Sequence, residues 1–162
     1  MKYRRLSIEE LKNMEKEFIE FLSSNQVTGD DWQKMKQDNP DQCEELMDLF
    51  SDIVFEKILT KINLLEHRSK SEISYLHFGE EEVDMVGVKL EGSEDIDFTK
   101  NEPSDQMIAK AQASNATLSV FSAKRSYSKD DRNQEVFKHL QMGSMICEDD
   151  GLYKALKGFK KD

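Results

Sequence analysis

Three carboxylates recur every fourth residue along the most apolar stretch of the chain, at Asp48, Asp52 and Glu56. Residues four apart share one face of a helix, and carboxylates on such a face could hold a metal ion, as in carboxylate-bridged di-metal bundles. Those sites also use Glu-x-x-His pairs, which this sequence lacks. We therefore predict a polar stripe with no metal and no cofactor. Its basic partners would come from Lys57, Arg4 or Arg5.

Nucleophilic catalysis needs a nucleophile, a base and an orienting group that converge in space. The sequence contains no G-x-S-x-G, G-x-G-x-x-G, Walker or H-E-x-x-H motif, so neither a nucleophile elbow nor a phosphate-binding loop is indicated. The three histidines are scattered, and Cys43 and Cys147 have no second Cys or His nearby at ligand spacing. We predict no catalytic residue, and an enzyme with an unrecognised site is the third hypothesis.

The acidic side chains are concentrated in one region of the chain. Residues 71–105 contain 11 acidic and two basic side chains, and Glu80, Glu81, Glu82 and Asp84 lie close together within it. Adjacent carboxylates repel one another, so folding gains nothing from this arrangement. They either keep a sheet edge solvated or dock a basic surface, and we predict these four residues as the partner-binding candidates.

A basic segment with one aromatic residue follows later in the chain. Lys124, Arg125, Tyr127 and Lys129 combine cations with a ring, which is the combination used for single-stranded nucleic acids. One ring is a small stacking platform, and a solvated strand end would have the same composition. The segment is therefore the alternative candidate site, for nucleic-acid binding.

Helices should position the carboxylate row. Ser7 and Glu10 form a capping-box pattern, which predicts a helix over about residues 8–23. A short helix should run from near Thr28 to before Pro40, and a long central helix from there to about His67. Phe50 and Phe55 point to different sides of that helix, and we expect both to be buried.

A small sheet should carry the two candidate binding segments. Residues 72–78 and 83–91 form a predicted hairpin, with Gly87 at a bulge or beneath a large neighbour. Residues 117–123 are a further strand, residues 95–99 a possible short one, and residues 100–116 either a loop or a helix capped by Ser104. Two C-terminal helices should follow. The first is capped by Ser128 and ends at Gly143, and the second is marked by Leu152, Tyr153, Leu156 and Phe159.

The fold class that results is α+β, with a helical N-terminal half, an antiparallel sheet of three to four strands and C-terminal helices. The length of 162 residues suits one domain, residues 1–162. No run of 18 apolar residues occurs, and charged residues follow the basic start of the chain, so neither a membrane span nor a signal peptide is expected. We expect a cytoplasmic protein, and its net charge of -10 opposes nucleic-acid binding over most of the surface.

Several stretches are similar to those of a known family. The chain resembles a small uncharacterised bacterial family, a domain of unknown function that begins MKYRRL. The resemblance rests on that opening, on the segment FSDIVFEKILTKINLLEHRS and on FKHLQMGSMICEDDGLYKAL, while residues 79–116 depart from the pattern. It implies a single bacterial cytoplasmic domain, and it carries over no catalytic or binding residue.

These observations favour a non-enzymatic cytoplasmic protein that acts by protein–protein interaction, such as an adaptor. The acidic group would dock a basic surface, either on an unknown partner or on residues 106–162 of a second copy. The alternative is a nucleic-acid or ribonucleoprotein-associated factor that uses the basic segment. The sequence leaves the oligomeric state open.

Overall fold

The computed structural model describes residues 1–127 and 130–159. Within them the protein is α+β, as predicted, with seven helices and an antiparallel sheet of five strands rather than three or four. The chain forms two compact units, Met1–Thr60 and Lys61–Asp162. The helices are α1 (Ile8–Asn13), α2 (Glu15–Ser24), α3 (Gly29–Asp38), α4 (Pro40–Thr60), α5 (Ser104–Ala113), α6 (Arg132–Gln141) and α7 (Gly151–Gly158). The strands are β1 (Leu64–Arg68), β2 (Glu72–Phe78), β3 (Glu82–Glu91), β4 (Thr117–Ser126) and β5 (Met145–Ile146).

The first predicted helix begins where expected but is divided in two. Ser7 and Glu10 form the capping box reciprocally, with N···O distances of 3.2 and 2.7 Å. Arg4 adds an ion pair to the Glu10 carboxylate, and its hydrogen bond, more than any other contact, lowers the pKa of Glu10 to about 2. Helix α1 ends at Asn13, because the φ of -114° and ψ of 26° of Met14 are not helical, and α2 starts at Glu15.

Ser7→Ala should lower the free energy of unfolding by about 0.5–2 kcal/mol, because the amide of Glu10 loses its side-chain acceptor. Urea unfolding followed by circular dichroism would measure the change. Ser23→Ala, an exposed serine inside α2, is the matched control and should change stability little. Equal effects of the two substitutions would show that the cap contributes nothing.

The central helix is shorter than predicted. It ends at Thr60, and residues up to His67 are not helical, because β1 begins at Leu64. Leu65 is fully buried and lies opposite Leu76 of β2. Periodicity alone cannot assign so short an apolar run to a helix or to a buried strand, and the pairing with β2 makes it a strand.

An aromatic cluster forms the core of the first unit. Phe50 is 3% exposed, and its ring centroid lies 5.1 Å from that of Phe18 and 5.3 Å from that of Phe21. Phe55 is only half-buried, against the expectation that both rings would be buried alike. Its ring is partly covered by Tyr3, at 5.7 Å between centroids.

The sheet of the second unit has the order β4-β3-β2-β1-β5. The predicted hairpin is present as β2 and β3. Gly87 lies beneath the ring of Phe121, which confirms the second of its two predicted alternatives, a place beneath a large neighbour. The strand predicted at residues 117–123 continues to Ser126. The possible strand at residues 95–99 does not form, although Phe98 within it is fully buried.

Helices α5 and α7 cover one face of this sheet. Met107, Ala111 and Leu156 pack there in one buried cluster with Ile73, Tyr75, Val86, Val88 and Leu90. Residues 104–113 therefore form a helix, which was one of the two predictions for residues 100–116. The cap is Pro103 and not Ser104, whose side chain is buried as the first residue of the helix.

Helix α6 starts later than predicted. Its cap is Asp131, in a capping box with Gln134, while Ser128, the predicted cap, lies outside the described residues. The helix ends at Gln141, and Gly143, the predicted stop, follows its C-cap Met142. The φ of +100° at Gly143 favours glycine. The amide of Gly143 donates to the carbonyl of Leu140 and the next amide to that of His139, which is a Schellman ending. In the last helix Leu156 is buried, whereas Phe159, another of the four residues that mark this helix in the sequence, follows its end and is 71% exposed.

Candidate interaction surface

The carboxylate row on α4 binds the start of the chain. Asp52 accepts hydrogen bonds from the backbone amides of Lys2 (2.7 Å) and Tyr3 (3.1 Å). Glu56 accepts one from the hydroxyl of Tyr3 at 2.6 Å. These carboxylates accept hydrogen bonds from backbone amides that no secondary structure pairs, so the row anchors the N-terminal segment.

Of the two arginines predicted as partners of this row, only Arg5 binds it. Arg5 Nε lies 2.6 Å from Asp48 Oδ1, and this hydrogen bond lowers the pKa of Asp48. Arg4 instead pairs with Glu10 and stacks its guanidinium 4.9 Å from the centre of the Phe55 ring. Within the described residues no three His, Cys, Asp or Glu side chains are placed to hold a metal ion.

The structure brings together one serine and one histidine that are distant in sequence. Ser144 Oγ lies 3.2 Å from His67 Nδ1, because β5 pairs with β1 and places residue 144 beside residue 67. Sequence spacing gave no sign of this pair. Ser144 is only 5% exposed, so its hydroxyl offers a substrate almost no access and acts as a structural hydrogen-bonding group.

A cavity of about 770 Å³ lies beside β5 and the start of α5. Among the residues that line it, Arg68 places its Nε 2.5 Å from Glu66 Oε1, and the same guanidinium donates to the Glu102 carbonyl at 2.9 Å. Cys147 also lines the cavity, and burial is the main cause that raises the pKa of its thiol to about 11. A thiol with that pKa stays protonated near neutral pH and is a poor nucleophile.

The acidic candidate and the basic candidate lie next to each other in the sheet. Asp84 of β3 is opposite Lys124 of β4. Lys124 Nζ lies 2.7 Å from Glu82 Oε1 and 3.8 Å from Asp84 Oδ1, and the hydrogen bond to Glu82 is the main cause that raises the pKa of Lys124. Of the four residues of the acidic group, only Glu80 and Glu81 are exposed, and Glu82 and Asp84 are half-buried.

The rest of the basic segment also has partners within the chain. Arg125 binds the 5%-exposed carboxylate of Glu135 through both oxygens, at 2.8 and 3.2 Å. The hydroxyl of Tyr127 donates to the carbonyl of Gly79 at 2.9 Å and fastens the hairpin turn. Lys129 lies outside the described residues. Because these groups are used internally, little free positive charge is left for phosphates, and nucleic-acid binding stays a prediction.

Arg125→Ala should lower the free energy of unfolding at neutral pH by about 1–2 kcal/mol, since it leaves the Glu135 carboxylate buried without its partner. Water screens part of the effect, because the Arg125 side chain is 51% exposed. Arg125 keeps the pKa of Glu135 below its ordinary value of 4.5. The wild type therefore gains stability above that pH, which is lost as the pH falls.

Urea unfolding of wild type and Arg125→Ala across the acidic range would check this pH dependence. The difference between them should shrink as the pH drops below about 4.5. Lys124→Ala is the control, because it removes a neighbouring cation whose partner Glu82 is 41% exposed. A constant difference at all pH values would contradict the role of the Arg125–Glu135 pair.

The outer edge of β4 is the largest unpaired backbone surface of the sheet. β4 is the last strand on its side, and no strand of the described residues pairs with its outer edge. The amide of Tyr127 donates to the Glu81 carbonyl, and hydrogen-bonded pairs recur every second residue in an antiparallel ladder. The backbone N–H and C=O groups of the odd-numbered residues of β4 therefore point toward β3. The residues that present N–H and C=O outward are Leu118, Val120, Ser122, Lys124 and Ser126.

Most of this edge lacks the charged and proline residues that commonly protect an outer strand. Residues 117–123 contain no charge, no proline and no glycine, and Val120 is 46% exposed. Charged residues occur only at the far end of the strand, at Lys124 and Arg125. A long, exposed, uncharged edge strand is a template for pairing with another chain. The sequence predicted this strand but not its position at the edge of the sheet, because strand order depends on pairings across the whole second unit.

None of the described helices is both long and apolar enough to cross a membrane. Comparison with curated proteins finds no match, and comparison with solved structures finds none either. A family model does match, over residues 1–161, and the match includes residues 79–116, where the sequence departed from the resemblance noted above. The chain therefore belongs to the family of unknown function DUF6495.

Proposed function

We propose that the protein is a non-enzymatic interaction protein of the bacterial cytoplasm, which binds another polypeptide by adding a strand to the outer edge of β4. The two free cysteines support a reducing compartment. The neutral, protonated thiol of Cys147 and the buried hydroxyl of Ser144 support a role without nucleophilic catalysis.

The single observation that carries this proposal is the unpaired outer edge of β4. Main-chain donors and acceptors in strand geometry are matched best by another extended strand, which gains affinity from the backbone and specificity from alternate side chains. Half-buried Leu118 and Phe121, with exposed Val120 between them, offer an added strand apolar contacts on both faces of the sheet.

Ser122→Pro tests the proposal, because it removes an N–H that points outward while the bonds from β4 to β3 remain. Proline is tolerated on a strand whose N–H side faces solvent. Ser122→Ala keeps the N–H and serves as the matched control. When each variant is used to capture proteins from the native cytoplasm, Ser122→Pro should fail to bind a partner that wild type and Ser122→Ala both capture. Equal capture by the two variants would refute β4 as the docking element.

The acidic turn is the other surface that the same experiment can examine. Glu80 and Glu81 are exposed, whereas Glu82 and Asp84 contact Lys124. Changing Glu80 and Glu81 to Gln removes the free carboxylates and leaves those ion pairs in place. If this double variant, and not Ser122→Pro, loses the partner and its salt dependence, a basic surface docks at the turn.

A further inference from the structure

We infer that the strand which pairs with the outer edge of β4 is the β4 strand of a second copy of this chain. The two strands run antiparallel about a two-fold axis and join the two sheets into one. This inference rests on the proposed function, since it names the occupant of the same edge. A two-fold contact uses the same patch on both copies, so the patch must complement itself.

The backbone of β4 meets this requirement. Its outward-facing residues are the even-numbered ones, so a second strand must place its own even-numbered residues opposite them. A two-fold axis at Ser122 pairs Ser122 with its own copy, Val120 with Lys124, and Leu118 with Ser126. In this register all five outward-facing residues of each strand find partners. Shifting the axis to Phe121 or to Lys124 leaves outward groups at one end of the strand unpaired.

The side chains favour the same register. With the axis at Ser122, Lys124 lies opposite Val120 and Arg125 lies opposite Ser119, so no cation faces another. With the axis at Lys124, two lysines would lie directly opposite each other, which is destabilising. The register centred on Ser122 also sets Ala123 opposite Phe121 and brings small and large side chains together.

The net charge of the chain distinguishes a second copy from a basic partner. Each copy carries a net charge of -10, so two copies repel one another at long range, and added salt screens that repulsion. Association of two copies through backbone and apolar contacts should therefore tighten as salt increases. A partner selected by opposite charge would instead bind more weakly.

Sedimentation equilibrium of the purified full chain tests the inference. Wild type should form a dimer whose dissociation constant falls as salt is raised. Ser122→Pro should weaken the dimer about tenfold or more, because each copy loses one intermolecular hydrogen bond. Ser122→Ala should dimerise as wild type does. Circular dichroism of each variant would confirm that the strand is still folded.

Two substitutions at Val120 test the register itself. Val120→Lys places a lysine opposite Lys124 of the second copy, whereas Val120→Glu places a carboxylate there. The two-fold axis applies each change twice, so we expect the Lys variant to dissociate about tenfold more readily than the Glu variant. Val120 is 46% exposed, so either change is compatible with the folded monomer.

A chain that stays monomeric at every concentration and salt would overturn the inference. The proposed function would survive that result if Ser122→Pro still lost a captured partner. A dimer that neither Ser122→Pro nor the two Val120 variants affect would overturn it as well, because the copies would then associate elsewhere.

Discussion

Phe50→Ala should lower the free energy of unfolding by about 3–5 kcal/mol, the usual cost of truncating a buried phenylalanine. Phe50 is 3% exposed and lies within 5.3 Å, between ring centroids, of Phe18 and Phe21. Removing its ring opens a cavity between two helices that the other rings cannot fill without leaving their own contacts. Urea unfolding monitored by the fluorescence of Trp32, which packs on Phe18 at 5.3 Å, would measure the loss.

Ile53→Ala is the matched control for this prediction, because it shortens another apolar side chain of the same helix. Ile53 is 48% exposed, so its truncation leaves no enclosed cavity and should cost much less. Similar losses for the two variants would mean that Phe50 does not form the core of the first unit.

Features set by neighbouring residues could be predicted from the sequence. The cap at Ser7, the glycine ending at Gly143 and the β2–β3 hairpin each depend on contacts within a few residues. Thr60 as the end of α4 could not be predicted, because the segment after it becomes β1 only by pairing with β2. The two-residue strand β5 is also fixed by β1, which lies about 80 residues earlier in the chain.

The candidate interaction surface likewise combines features that the sequence predicts with features that depend on the fold. Composition alone identified the acidic group and the basic segment as unusual, but it treated them as separate surfaces. Their contact depends on the register of β3 and β4, which puts Asp84 opposite Lys124 across about 40 residues of chain. The position of β4 at the edge of the sheet depends in turn on the order of all five strands. Local sequence patterns carry neither kind of information.

Gly87→Val should destabilise the second unit by about 3 kcal/mol or more, toward the upper end of the cost of overpacking. A Cβ at this position would lie 2.4 Å from Cζ of Phe121 and 2.8 Å from the carbonyl oxygen of Ile73. The phenyl ring can turn away, but the carbonyl belongs to the backbone of β2 and is fixed by the ladder. Thermal unfolding would measure the loss, with Gly29→Val as the control, since nothing lies within 4 Å of a Cβ there.

A double-mutant cycle separates the two contacts of Gly87. Phe121→Ala removes the ring but leaves the carbonyl of Ile73, so it should restore only part of the stability lost in Gly87→Val, with a coupling of about 0.5–3 kcal/mol. Full additivity would show that the ring does not cover Gly87. Because Phe121 lies on β4, directly opposite Gly87, the missing side chain at Gly87 allows this aromatic residue to lie flat across β3. The same contact holds the central part of the outer strand close to the sheet, and this is the part that the proposed pairing uses.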